Sequence, residues 1–528
     1  MRHWMRSVAA VALLITAAAC GGAGGPGGPG TGDPGNGDPG NGGPSAVTSV
    51  TVTPGTGTLA VGDTLLLSAT VEPAGVSQAV DWSTSSTAVA TVDANGVVTG
   101  VGPATVTITA TSVADASVSG SATLEVECVT YDALNLPTFI VEDTTVPRGC
   151  HELVGTKRVT DGATLTFESP AVVRAASDST GIRVQVGALE TLGTDSTPIR
   201  FTAPTASPGS WHGFVVSEDG DATFSHTTIE YAGTYSNAFH LFSVNSGIRV
   251  QRRGTLTLDT VTIRATQAEA ARRGAGLFIE REASVTMLGE NRFVENQGPG
   301  VAVTASQLHM LSPDGDYGGA AADNGDNVVL VNDDDTSAPP VVAGTRTWPA
   351  LNVPYRVARS AVIDGSGTVV TIEPGARFEF AEDAGIRVRS DATLRAIGGP
   401  SADERIVFTG VDASAGAWPG LHINTDNPTN ELRFTEIAFA GQNSLSFNPV
   451  GGGGIATSVR VGDGVGSGAG GGQAATLTFV DNVVRQSAGS GIRLEHPDTV
   501  ITPDVDDLAA ENTFDSATIA DDDIDDVR

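Results

Sequence analysis

The chain is 528 residues long and carries 29 Lys and Arg against 61 Asp and Glu, a formal net charge of −32. This charge argues against nucleic acid and against an anionic membrane surface as partners, because no basic stripe is available to neutralise phosphates. Sustained helical periodicity is missing. Alternating runs of Val, Thr, Ile and Leu, punctuated by Gly, Asp and Asn, point instead to an all-β chain of many short strands.

The N-terminus opens with Arg2 and Arg6, a short apolar run from Val8 to Ile15, and Ala17-Ala18-Ala19-Cys20. A permanent membrane helix needs roughly 20 apolar residues, so residues 1–19 read as a signal peptide. The small residues before Cys20 resemble a lipobox. That resemblance implies cleavage before Cys20, lipid on its thiol and attachment to a lipid bilayer. Residues 20–45 are almost entirely Gly, Pro, Asn and Asp, a composition that cannot bury a core and reads as a flexible tether. Gly21 rather than Asp follows the cysteine, which in lipoproteins of Gram-negative cells implies passage to the outer membrane. The expected location is the outer membrane or cell surface.

Residues 46–127 form one unit of short strands, among them Val50-Thr51-Val52-Thr53, Leu65 to Val71, Val80 to Ser85, Ala88 to Asp93 and Ala104 to Ala110. Asn95-Gly96 between apolar runs is a hairpin signal, and strands at this spacing predict a β-sandwich. The Val61-Gly62-Asp63 turn, the Trp82-Ser83-Thr84-Ser85 run, Val89-Ala90-Thr91-Val92-Asp93 and Gly96-Val97-Val98-Thr99-Gly100 together resemble the group 2 bacterial immunoglobulin-like domain. That family implies a spacer or adhesive module without catalytic residues, with Trp82 in the core.

Residues 128–150 form a linker bounded by Cys128 and Cys150. Outside the cytosol a lone pair of this kind can form a disulfide; two free thiols are the alternative.

The chain then repeats itself. Gly181-Ile182-Arg183-Val184 returns as Gly385-Ile386-Arg387-Val388, Gly209-Ser210-Trp211-His212-Gly213 as Gly416-Ala417-Trp418-Pro419-Gly420, and Glu290-Asn291-Arg292-Phe293 as Glu511-Asn512-Thr513-Phe514. Two halves follow, 151–307 and 356–520, joined by a bridging segment 308–355 and followed by an acidic tail 521–528 expected to be disordered. Within each half, strands too short to hold a sheet alone recur every ten to twenty residues, so coil must stack on coil to bury a core. Gly-x-Trp-x-Gly before a strand, Thr371-Ile372-Glu373-Pro374-Gly375 and Asn291 at a coil corner resemble right-handed parallel β-helix proteins of the pectate-lyase-like fold. Alternation places Ile182 and Ile386 inward and Arg183 and Arg387 outward.

Candidate chemistry is sparse. Asn424-Thr425-Asp426 and His212-Gly213 are similar to polygalacturonase motifs but stand in the wrong order, so no catalytic residue is assigned. Asp314, Asp316, Asp323, Asp326 and Asn327 offer the hard oxygens calcium prefers, yet complete no calcium-loop pattern; a calcium site and a solvated acidic loop are both open. Trp211 and Trp418 occupy equivalent places in the two halves. They are either exposed stacking platforms for sugar rings or core residues at coil corners, and duplication favours the core. The functional expectation is a non-catalytic, surface-anchored binding or adhesion lipoprotein facing a polysaccharide or surface protein. The alternative is a β-helix polysaccharide lyase or hydrolase acting on acidic glycans. Lipid is the only hydrophobic attachment this reading provides, so Cys20→Ser should move the protein from the membrane to the soluble fraction; unchanged membrane fractionation contradicts it.

Overall fold

The computed structural model describes residues 46–234, 245–267, 274–318, 323–332, 341–442, 456–463, 472–515, 519 and 523–528. Cys20 and the segments expected to be a signal peptide and a tether lie outside the described residues, as does Asp333-Asp334-Asp335. Val47–Arg528 is one compact unit.

Its first part is a sandwich. Ser49–Thr53 pairs antiparallel with Ser68–Glu72, and a four-stranded sheet is ordered Thr56–Ala60, Ser119–Glu127, Thr105–Ser112, Val80–Thr84. A three-stranded sheet, ordered Thr64–Leu66, Val97–Gly100, Ala90–Val92, completes it. The expected hairpin is present: Asp93 Oδ1 accepts from the N–H groups of Asn95 and Val97, each at 2.9 Å, and Gly96 sits at φ +80°. A side chain there would also meet the Trp82 ring, which packs against the Leu67, Val71, Val98 and Ile108 core.

Everything beyond is a parallel β-helix built on three faces. In the first half, each coil visits face 1 (seven strands, Asp132–Ala133 to Arg292–Val294), face 2, then face 3 (six strands, Thr144–Val146 to Ser284–Leu288). Face 2 is a single 14-stranded sheet running from Phe139–Ile140 to Thr513–Phe514 through both halves. At roughly 4.8 Å per strand it is about 60 Å long. Coil length is uneven. On face 2 the register partners Phe139 and Arg158 are 19 positions apart, and Glu436 and Val483 are 47 apart.

The core follows from alternation. Ile182, Phe214, Ile248, Leu277, Val301, Val329, Tyr355, Phe378, Phe408, Ile437, Val484 and Phe514 stand in register on face 2 and point inward. Lys157, the chain's one lysine, precedes Ile182 in this column and donates to the Leu136 carbonyl at 2.7 Å. Corners are closed by asparagine amides. Asn482 Oδ1 accepts from Thr435 N at 2.9 Å, its Nδ2 donates to Leu432 O at 2.8 Å, and Asn512 Oδ1 accepts from Asn482 N at 2.9 Å. Asn291 does the same for Val261 N.

The duplication is rotated. Among the described residues each half contributes twenty strands, from Asp132–Ala133 to Val301–Val303 and from Val329–Val331 to Ile524–Asp526. After Val329–Val331 the coil order is face 2, then the seven-stranded sheet beginning at Val341–Val342, then the six-stranded sheet beginning at Thr345–Trp348. These sheets therefore take the places of faces 3 and 1. Gly181–Gln185 lies on face 2, whereas its counterpart Ile386–Arg389 lies in the place of face 3. The second half is thus turned by one face about the rod. The repeat unit is not a whole number of three-face coils: it spans twenty strands plus the irregular stretch between Val301–Val303 and Val329–Val331, where a 3-10 helix, Ala305–Met310, and a lone bridge from Arg292 to Asp316 stand in place of two more.

Three boundaries differ from the sequence reading. The linker 128–150 already holds the first coil, and the bridge 308–355 holds strands of the second half; runs of two to four residues carry too little pattern to stand out. The tail is not wholly irregular: Ile524–Asp526 pairs with Ser490–Leu494, because Ile524 continues the inward alternation and Asp525 meets Arg493. Asn482→Ala, which strips partners from Thr435 N and Leu432 O, should cost about 3 kcal/mol in urea unfolding; a change within error would show the corner amides are dispensable.

Candidate functional site

The outward side of the sheet Val341–Val342 to Ile524–Asp526 carries a linked group of ionisable side chains. Val362, Arg387, His422, Arg460, Arg493 and Asp525 stand in register on successive coils. Their strand neighbours Ile363, Val388, Ile423, Val461 and Leu494 fill the core on the other side, so the period of two that builds the rod also sets this row facing out.

Asp463, just past the strand Thr457–Val461, is the hub. His422 Nε2 lies 3.1 Å from its Oδ1, Arg460 Nη2 3.3 Å from Oδ1 and Arg387 Nη2 3.5 Å from Oδ2, while Asn424 Nδ2 donates to Oδ2. Glu495 receives Arg460 at 2.5 Å and Arg493 at 2.7 Å, and Arg493 also reaches Asp525. Burial raises the cost of ionising Asp463, but the hydrogen bond from His422 and the charges of Arg460 and Arg387 outweigh it and hold its carboxyl down to about 2. His422 is 1 % exposed, and burial pushes its imidazole below the ordinary histidine value. Asp463 is thus held ionised, the opposite of what a carboxylic general acid requires, and Glu495 and Asp525 are each paired with arginine.

The first half holds the counterpart on face 2. Arg183, Val215, Arg249 and Phe278 stand where Arg387, His422, Arg460 and Arg493 stand. The buried pair Arg249–Glu280 repeats as Arg460–Glu495. Arg183 points outward as expected but is only 6 % exposed, with its Nε donating to Ser217 Oγ at 3.1 Å. What the duplication did not copy is His422, Asn424, Asp463 and Arg493, which replace Val215, Ser217, Arg252 and Phe278. The repeated apolar-Arg-apolar strand pattern was a signal for the arginine row. Nothing in sequence joined Asp463 to His422, 41 positions earlier.

The residues singled out in the sequence fall elsewhere. Trp211 and Trp418 are 1 % and 0 % exposed, and their Nε1 groups donate to the carbonyls of Glu230 and Ala438, each at 2.8 Å. The sugar-stacking role is therefore corrected: both are corner residues of the core, Trp418 lying 4.2 Å from the Phe380 ring. The acidic residues considered for calcium are not gathered into one site among the described residues. Asp326 is taken up by Arg356 at 2.7 Å, Asp316 accepts from Asn352 at 3.0 Å and faces Arg292, and Asp323 accepts from Asn327 at 2.9 Å, while Asp314 is exposed. Among the described residues no three His, Cys, Asp or Glu side chains are placed to hold a metal. Asp316 and Asp326 face arginines on neighbouring coils. Cys128 and Cys150 are joined, with Cα atoms 5.6 Å apart. In Asn424-Thr425-Asp426, Asn424 is buried against Asp463 and Asp426 is exposed, so the two do not converge.

Comparison with known proteins agrees with the sandwich. Residues 46–126 are a bacterial Ig-like domain of group 2. A 3-O-alpha-D-galactosyl-alpha-L-arabinofuranosidase of Bifidobacterium longum subsp. longum is 51% identical over 73 residues, 14% of this chain and 6% of that protein. The chain thus spans a small fraction of that relative's length.

Asp463 supplies a pH test. Its depressed folded value means its contribution is present above the unfolded carboxyl value, about 3.9, and is lost as pH falls through about 2. Asp463→Asn should lower stability at pH 6 by about 2 kcal/mol, and the gap to wild type should close between pH 4 and 2. A pH-independent gap would contradict the pairing.

Proposed function

We propose that this is a non-catalytic binding lipoprotein of the cell surface. Lipid on Cys20 anchors it, the Gly/Pro-rich tether and the Ig-like module lift it, and the rod presents its faces to a glycan, matrix or surface-protein partner. The observation that carries this reading is the state of the ionisable groups around Asp463: each carboxylate there answers an arginine, and Asp463 stays ionised to about pH 2. Such a surface binds without offering a proton. The Ig-like module supports the same reading, being a spacer or adhesive unit by family.

The second reading, a lyase or hydrolase acting on acidic glycans, draws on the named activity of the Bifidobacterium relative. It has less support, since that match covers 6% of the relative and a polyanion would meet a chain of net charge −32. Residues 47–528 applied to an array of neutral and acidic glycans, followed by incubation with each retained glycan, separate the two. Retention without product is expected. New reducing ends or unsaturated products would overturn the non-catalytic reading, and absence of all binding would overturn the glycan partner.

A further inference from the structure

We propose that the Cys128–Cys150 bridge is a mechanical shunt, carrying load from the Ig-like module into the second coil of the rod and sparing the first. The argument begins with chain order. Cys128 directly follows Ser119–Glu127, which is paired on both sides within the four-stranded sheet of the sandwich. Cys150 lies in Gly149–Leu153, the face 1 strand of the second coil, and is 8 % exposed. All of the first coil, residues 129–148, lies between them in sequence and outside the covalent path that the bridge makes.

That coil is the weakest held of the early ones. Its strands Asp132–Ala133, Phe139–Ile140 and Thr144–Val146 contribute two, two and three register pairs, on one side only. The next coil makes five, four and four with its successor. Beyond these pairs the first coil is tied by single contacts: Asp143 Oδ1 accepts from Thr164 N at 2.9 Å, Lys157 donates to Leu136 O, His151 Nε2 lies 2.7 Å from Pro147 O, Arg174 and Arg158 lie over the Tyr131 and Phe139 rings, and Ile140 and Val146 are the two side chains it buries in the core. Without the bridge, tension from the N-terminal side would have to pass through these contacts strand by strand. With it, tension passes from Cys128 to Cys150 across 5.6 Å between Cα atoms. The sequence separation of 22 then hides a slack length of about 70 Å, taking ~3.4 Å per extended residue. A thiol reductant releases that slack by exchange, with two cysteine thiols formed and the reductant oxidised to its disulfide. The proposal rests on the surface-tether reading only for where the load arises; the shunt itself is a property of the fold.

The test is single-molecule force spectroscopy on the full chain, pulled from its two ends, with and without millimolar dithiothreitol. With the bridge intact, no step of about 70 Å should precede rupture of the rod. In reductant, such a step should appear first and at lower force, leaving later events unchanged. The double variant Cys128→Ser/Cys150→Ser should behave as the reduced protein, and wild type with reductant keeps the test valid if that variant fails to fold. Release of the same length within the rod's own rupture, or no added length in reductant, would overturn the shunt. Glycan binding and membrane attachment are read separately, so failure of the surface reading would leave this result distinguishable.

Discussion

The rod depends on one repeated contact: an inward side chain on face 2 resting on its counterpart one coil away. Among the described residues no strand of the β-helix exceeds five residues, far too few to be stable alone. Ile182 on Phe214, Phe214 on Ile248, and so on to Phe514 convert separate short strands into one buried column. Each large apolar side chain so buried stabilises by about 1.5 to 3 kcal/mol, and each is protected only while its neighbours stay in place. The parallel register that this stacking enforces also decides what happens outside, since every outward residue then faces its equivalent at one strand spacing.

That constraint explains the charge pattern. Arginines stacked in register would repel, and the chain answers with carboxylates one coil on or just past the strand. Arg249 meets Glu280, Arg460 meets Glu495, Arg356 meets Asp326 and Glu379, and the fully buried carboxylate of Glu230 is held by Arg200 and Arg264. Buried pairs of this kind add little net stability, but breaking one is costly, so they resist slippage of one coil past another. Around Asp463 the scheme has been elaborated beyond what the first half contains, which marks that place as individual to the second half rather than inherited with the scaffold.

Much of this was legible in sequence. The duplicated Gly-Ile-Arg-Val strands, the corner asparagines and the Trp82 and Asn95-Gly96 signatures identify the fold because they recur in the same order in both halves or stand in family order, and Ile182 and Ile386 do point inward. The one-face rotation was not legible, because it depends on how many coils separate the repeats, and the bridging coil's 3-10 helix and irregular turns carry no periodic signal by which to count them. Nor was the Asp463 cluster, whose members come from separate coils joined only by stacking. The pairing of Asp316 and Asp326 was hidden for the same reason: their arginine partners, Arg292 and Arg356, are distant in sequence and adjacent in space. The first coil was hidden by strands of two or three residues, below the length at which alternation can be recognised.

The central claim is that both halves form one uninterrupted coil, with face 2 passing through their junction. Ala302 and Leu330 are register partners on the outward side of that junction, and cysteines placed at adjacent parallel positions lie within disulfide reach. The variant Ala302→Cys/Leu330→Cys should therefore oxidise to a single cross-linked peptide pair, detected by mass spectrometry beside the Cys128–Cys150 pair. Recovery of both new thiols free, in folded protein, would mean that the halves are not joined by a continuous sheet and would contradict the account.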